Sequence, residues 1–379
     1  MPYTVEIVAL LPWDGHHGIP STFEESPAYG WQMPDQARMV RIPSRIRLDE
    51  AGGFHVLGGR RMVAHLHPSG VFRGRTQFPQ PFDLIIDFAC DAADTCLVIA
   101  RTGGLANRLH ASRADGIEIW STDLPVGEPD EARRVSPTKI MDGGGQHWYL
   151  ADACAIADVD GLDGRVRRIL EQRGGAGLPY LAGGWLLSGY FDDRTEQRGV
   201  AALDPTTGER RELAASLDLF PWLVHPFGAD ARGRLYVWRD EQVARVGPDG
   251  QVDVLGAVNG VAVRGSEVFT SHHRSGTLQV AGGGVEVEIP SSAGFRLVHV
   301  DESGRYHLLG GQRPGEAAEM RIHSADGRLE SSGAPRHDLA EIECRIAPHD
   351  GWQVDGDGRV VIPVATPENL TIVRLHPQP

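Results

Sequence analysis

The stretch DGDGRVVIPV, Asp355 to Val364, places an Asp-x-x-Gly turn directly before a β-rich run. In such a turn the Gly accepts φ > 0 and the Asp side chain bonds its own backbone, so the flanking segments read as paired strands. The arrangement recurs as DEAGGFHVL from Asp49, DARGRLYVW from Asp230 and DESGRYHLL from Asp301. Weaker copies are DAADTCLVIA from Asp91, DGGGQHWYL from Asp142, GGWLLSGY from Gly183 and VRGSEVFTS from Val263. About twenty residues after most copies comes a second tight turn, at Gly70, Asp115, Asp163, Gly208, Asp249 and Asp326.

Between the turns the chain alternates in period two, as in GRLYVW, QVDVLG, GVEVEI and EIWS, and helical periodicity is almost absent. Each unit therefore reads as four strands. Four-stranded units of ~40–45 residues along a chain predict an all-β fold, a single β-propeller. Eight units start near Arg45, Asp83, Thr138, Leu178, Trp222, Ala257, Gly294 and Arg345; a seven-bladed ring with one misread unit is the alternative. The last unit lacks a fourth strand, and YTVEIVALL, Tyr3 to Leu11, is a strand without a unit. Pairing the two closes the ring and removes exposed strand edges. Residues 1–379 then form one domain, with 12–42 a long loop or lid on the functional face.

The D-x-x-G-R-x-x-V pattern, followed by a strand and an Asp-Gly turn, resembles the blades of NHL- and SMP-30-like bacterial propellers. The resemblance spans most of the chain and implies fold, not activity. Sialidase-type Asp boxes, WD dipeptides at blade ends and kelch Gly-Gly pairs are not visible. A Ca²⁺ of the SMP-30 kind would need oxygen ligands near the axis, where Asn259 and Asp350 are available but no matching Glu is identifiable.

Composition narrows the function classes. The 379 residues carry a formal charge of −14, which argues against nucleic acid or an anionic membrane surface as partner. Charges and glycines interrupt every apolar run before membrane-spanning length, and the N-terminus lacks a basic, cleavable leader, so a cytoplasmic location is expected. Lys139 is the one lysine; it precedes a strand and is expected to join no cluster, which excludes most lysine chemistry. Cys90, Cys96, Cys154 and Cys344 form no CxxC pair. Cys90 and Cys96 flank a turn and could meet across it, but small apolar residues in a reduced core is the preferred reading.

In an up-and-down blade the short turns gather on one face, and the longer loops, with the unusual residues, on the other. That second face holds Trp13, Asp14, His16 and His17 in WDGHHG. It also holds Arg60, Arg61, Arg101, Asp240, His272, His273 and Arg274 from second-to-third strand loops, and His225, Asn259, His337, His349 and Asp350 from blade junctions. Imidazoles from different blades aimed at one axis suit a divalent metal (Zn, Fe, Mn or Ca), with His225, His273 and His349 as ligands. Asp14, His17 and Asp350 are the expected catalytic acid–base groups, and Arg60, Arg101, Asn259 and Arg274 the substrate-binding ones. The competing reading is that such histidines and arginines are ordinary solvated surface groups. A second chemistry keeps a histidine as general base without metal. The expected function is a small-molecule enzyme, a metal-assisted lyase, cyclase, isomerase or hydrolase. The alternative is a scaffold that binds a protein or peptide through Trp13, Trp31, Phe191 and Trp352. His55, His65, His67, His110, His299, His307 and His323 sit inside strands and are expected to be satisfied there rather than to ligate.

Overall fold

In the computed structural model the repeat motif explains itself at Asp301. Its Oδ1 accepts the Ser303 and Arg305 amides at 3.0 and 2.9 Å, and its Oδ2 accepts from Arg305 Nε at 2.8 Å. Asp230 and Asp355 are held in the same way by Arg234 and Arg359, each Nε at 2.7 Å. The Gly between, Gly233, Gly304 or Gly358, has φ of 73°, 81° or 86°, a region that favours glycine. Each letter of D-x-x-G-R thus has a mechanical role: Asp caps the turn, Gly reverses it and Arg clamps it.

The structure describes residues 3–12, 23–25, 39–41, 46–58, 61–79, 82–101, 107–127, 134–144, 147–152, 154–171, 178–192, 197–215, 225–239, 241–290, 294–310, 319–333, 351–366 and 369–377. These residues form strands and turns without a helix. Eight four-stranded antiparallel sheets follow one another along the chain. Their first strands begin at Ile46, Leu84, Lys139, Tyr180, His225, Gly260, Arg296 and Gln353, close to the unit starts expected from sequence. The fold is an all-β propeller.

The first strands touch in the cycle Ile46–Leu48, Leu84–Cys90, Lys139–Asp142, Tyr180–Ala182, His225–Ala229 and Gln353–Val354, which returns to Ile46–Leu48. Those of the sixth and seventh sheets, Gly260–Arg264 and Arg296–Val300, lie against each other. The sixth sheet adds Val261 and Val263 to a cluster shared with Phe227 and Tyr236 of the fifth and Val360 and Ile362 of the eighth. The core is a series of such clusters between sheets; Ala89, Leu97 and Leu109 of the second, for example, pack on Trp148 and Leu150 of the third. Each large apolar side chain so buried contributes roughly 1.5–3 kcal/mol.

The eighth sheet takes its fourth strand from the N-terminal run. Tyr3–Pro12 pairs antiparallel with Asn369–Pro377, from Tyr3 opposite Pro377 to Pro12 opposite Asn369, with an irregularity between Ile7 and Ala9. Arg374 fastens this sheet: its guanidinium meets Glu6 at 3.2 Å, donates to the Pro68 carbonyl at 3.1 Å and lies 3.3 Å from Asp355. Within the segment 12–42, Phe23–Glu25 pairs with Met39–Arg41.

Two expectations are corrected. Cys90 and Cys96 are not free thiols but a disulfide, because they stand directly opposite each other across the hairpin, 4.2 Å apart at Cα. Cys154 is free and exposed, and Cys344 lies outside the described residues. Lys139 lies within a strand, not before one, and does join a cluster. It is buried, with Nζ 2.9 Å from the Tyr180 ring centroid. Asp87 pairs with Arg47 and accepts the neighbouring Ile140 amide at 2.8 Å, so these groups come from the first strands of sheets one to four. Burial, then the nearby Arg47 charge, hold the Lys139 amine well below its ordinary range.

Candidate functional site

The longer-loop face brings together Glu241, Asn259, Ser271 and His273. Glu241 occupies the tight turn between the second and third strands of the fifth sheet, at φ +63°. A non-glycine residue there costs on the order of 1 kcal/mol and persists when its surroundings hold it. The holding contacts are specific. His273 Nδ1 donates to Glu241 Oε1, the His273 amide donates to Oε2 at 2.6 Å, and Asn259 Nδ2 donates to Oε1 at 3.1 Å. The Glu241 carbonyl in turn accepts the Val258 amide at 2.6 Å, locking the turn to the junction between the fifth and sixth sheets.

Asn259 is oriented from its other end. Ser271 Oγ donates to Asn259 Oδ1 at 2.7 Å, and the Asn259 amide donates to the Ser271 carbonyl at 2.7 Å. Both residues are buried. The VNG motif ends in glycine because the sheets meet there: a Cβ on Gly260 would lie 2.6 Å from the Leu297 carbonyl oxygen and 2.8 Å from Ser271 Oγ.

Burial would raise the Glu241 carboxyl, but hydrogen bonds from the His273 side chain and amide outweigh it and hold the group below the usual carboxylate range. It is therefore an anion at neutral pH, and its bond fixes the proton of His273 on Nδ1. The other ring nitrogen, Nε2, is shielded from solvent and has no hydrogen-bond partner among the described residues. Beside it, burial keeps His272 below the ordinary imidazole range, with Glu241 pulling upward and Arg274 downward. A carboxylate-oriented imidazole with an unpaired Nε2 is the arrangement of a general base. It is equally the way a metal-ligating histidine is held.

Of the expected site residues, Asn259 and His273 meet here, and Arg274 is the next residue, exposed at the strand end. Arg101 ends a strand of the second sheet, where its Nε donates to Asn107 Oδ1 at 3.4 Å. His225 opens the first strand of the fifth sheet opposite Trp238, whose Nε1 donates to the Val258 carbonyl at 3.0 Å. Asp14, His17, Arg60, His349 and Asp350 lie outside the described residues, as do Trp13 and Trp31. Trp352 is not a surface anchor: it is 4% exposed and packs edge-on to Phe227 at 5.7 Å. Sequence reasoning singled out Asp240 and passed over Glu241 beside it. The signal for Glu241 is only its place at the corner of the RDEQ turn; its partner His273 is 32 residues on in the chain.

No protein-family model matches the chain, and no curated protein matches it in sequence. Among solved structures it is similar to a streptogramin B lyase, at 12% identity over 99% of this chain and 98% of that one, with a TM-score of 0.45. It is also similar to BamB from Moraxella catarrhalis (14% identity, 87% and 96%, TM-score 0.40) and to the WD40 domain of SCAP from fission yeast (9%, 99% and 98%, 0.42). These likenesses assign no activity; the architecture rests on the eight sheets themselves.

Proposed function

We infer that the chain is a small-molecule enzyme in which His273 Nε2 takes or delivers a proton, as a lyase, isomerase or hydrolase requires. The observation that carries this reading is the Glu241–His273 pair with Nε2 unpaired. Glu241 fixes the productive tautomer and stabilises the imidazolium formed when the ring accepts a proton. Asn259 holds Glu241, and Arg274, one residue on, offers a guanidinium for a carboxylate or phosphate of the substrate. In the metal-assisted form of the same reading, Nε2 binds a divalent ion together with His225 and His349. Elemental analysis of the purified protein and of His225→Ala decides between the two forms.

The test of the base is turnover. Purified protein is incubated with a panel of small carboxylates, lactones and phosphate esters, and products are followed by mass spectrometry. Conversion by the wild type should fall about 10²–10⁴-fold in His273→Ala, the usual weight of general acid–base catalysis. Glu241→Gln should lower it in the same direction. Conversion that survives both substitutions removes His273 from the chemistry.

A further inference from the structure

The first repeat lacks the Arg clamp of the fifth, seventh and eighth. Asp230, Asp301 and Asp355 are each clamped by an Arg four residues on, whereas Asp49 has Gly53 at that position. Its Oδ2 instead accepts from His55 Nε2 at 3.2 Å. The His55 ring turns Nδ1 toward Nδ1 of His65, 2.7 Å away on the adjacent strand, and His65 Nε2 meets Thr76 Oγ1 at 2.9 Å. His55, His65, Cys90 and Cys96 are all at most 1% exposed. Ligand atoms of His55, His65 and Cys90 lie within 4.8 Å of one another; Cys96 is outside that group and is brought to it by its bond to Cys90. Asp94 Oδ1 lies 3.4 Å from His65 Nδ1 and pairs with Arg73, the nearby cation, which is 3.7 Å from Asp49.

We propose that His55, His65, Cys90 and Cys96 form a zinc site closed by the Cys90–Cys96 disulfide, so that reduction of this bond admits one Zn²⁺ per chain. Two thiolates and two imidazoles are the donor set of closed, tetrahedral zinc. The outer partners are already in place. Asp49 accepts the Nε2 proton of His55, and Thr76 faces Nε2 of His65, so both Nδ1 atoms are aimed inward. Zinc–nitrogen bonds of about 2.0–2.1 Å set two ligand nitrogens about 3.3 Å apart, so the 2.7 Å contact has to open only slightly.

The steps balance. A dithiol reductant gives two electrons and two protons to the Cys90–Cys96 bond and leaves as its own disulfide. Each new thiol releases its proton to solvent as its sulfur coordinates. The proton shared between the two Nδ1 atoms passes to His65 Nε2, where Thr76 Oγ1 accepts it while donating its own hydrogen to the Ala114 carbonyl, 3.2 Å away. The two thiolate charges cancel that of the ion. The site stands on the first and second sheets, apart from Glu241 and His273 on the fifth and sixth.

The experiment compares the full-length protein with the disulfide intact and after dithiol reduction and anaerobic desalting. Zn²⁺ or Co²⁺ is added, and metal that stays with the protein through gel filtration is counted. One ion per reduced chain, none per oxidised chain, a thiolate-to-Co²⁺ charge-transfer band and a zinc-dependent rise in Tm are expected. Cys90→Ser should abolish the band. Equal uptake in both redox states, no uptake in either, or a Co²⁺ spectrum without thiolate character overturns the proposal. Should Cys90→Ser fail to fold, the two states of the wild type still decide it.

Discussion

Glu241 shows how a single residue gains a role from its surroundings. Its backbone sits where glycine is favoured, and its carboxylate receives three donors that hold it there. Replacing Glu241 by Ala should therefore cost stability as well as the orientation of His273. Loss of hydrogen bonds to a charged group in a half-buried site predicts about 1–3 kcal/mol by denaturant unfolding. Two other residues give pH signatures. Asp142 is raised to about 6, first by burial and then by the charges of Asp91, Glu50 and Asp49. Its folded form binds the proton more tightly than the unfolded chain, so its contribution is full below the ordinary carboxyl value and is lost as pH rises to about 6. Asp142→Asn should then be more stable than wild type above pH 6, on the order of 2 kcal/mol, with the difference shrinking toward pH 4. Lys139 has the opposite chemistry: its amine is lowered, so the folded state is penalised until pH approaches the ordinary lysine value. Lys139→Met should raise Tm at pH 7, by an amount that shrinks as pH rises toward 10.5.

At the scale of elements, the repeat was readable because each strand-joining turn must solve the same problem. A reversed backbone needs a φ > 0 residue and a cap for its amides, and Asp with Gly supplies both. That requirement leaves a mark in the sequence, so the strands of all eight sheets were legible. What was not legible depends on distance rather than on local need. Glu241 and His273 are 32 positions apart, Lys139 meets Tyr180 through separate strands, and nothing local to Trp352 says that Phe227 covers it. The Cys90–Cys96 pairing was half visible, since the two could be seen to meet across a turn, but small apolar residues in a reduced core were preferred to the direct register that joins them. The turn at Gly70 offers a test at this scale. Its φ is +80°, and an added Cβ would lie 2.0 Å from the Val8 carbonyl oxygen on the N-terminal strand. Gly70→Ala should destabilise by more than the ~1 kcal/mol of an ordinary exposed Gly→Ala change, because the strand Tyr3–Pro12 has to shift. Thermal unfolding of the variant measures it.

For the whole molecule, the pairing of the N-terminal strand with Asn369–Pro377 joins the two ends of the described chain into one sheet, and Arg374 ties that sheet to the first through Pro68. Removing residues 1–11 should leave the strand Asn369–Pro377 with an unpaired edge, lower Tm and give concentration-dependent association by light scattering. The fifth, sixth and eighth sheets share a common cluster that includes Tyr3 of the N-terminal strand. It is at the junction of the fifth and sixth that Glu241 reaches His273. The central claim, that Glu241 fixes the tautomer of His273 and keeps Nε2 bare, is open to direct measurement. Nitrogen-15 NMR of the His273 ring, assigned by comparison with His273→Ala, should show the proton on Nδ1 and an unprotonated Nε2 at neutral pH. Glu241→Gln should abolish that preference. A proton on Nε2 in the wild type, or a ring spectrum unchanged in Glu241→Gln, would contradict the account.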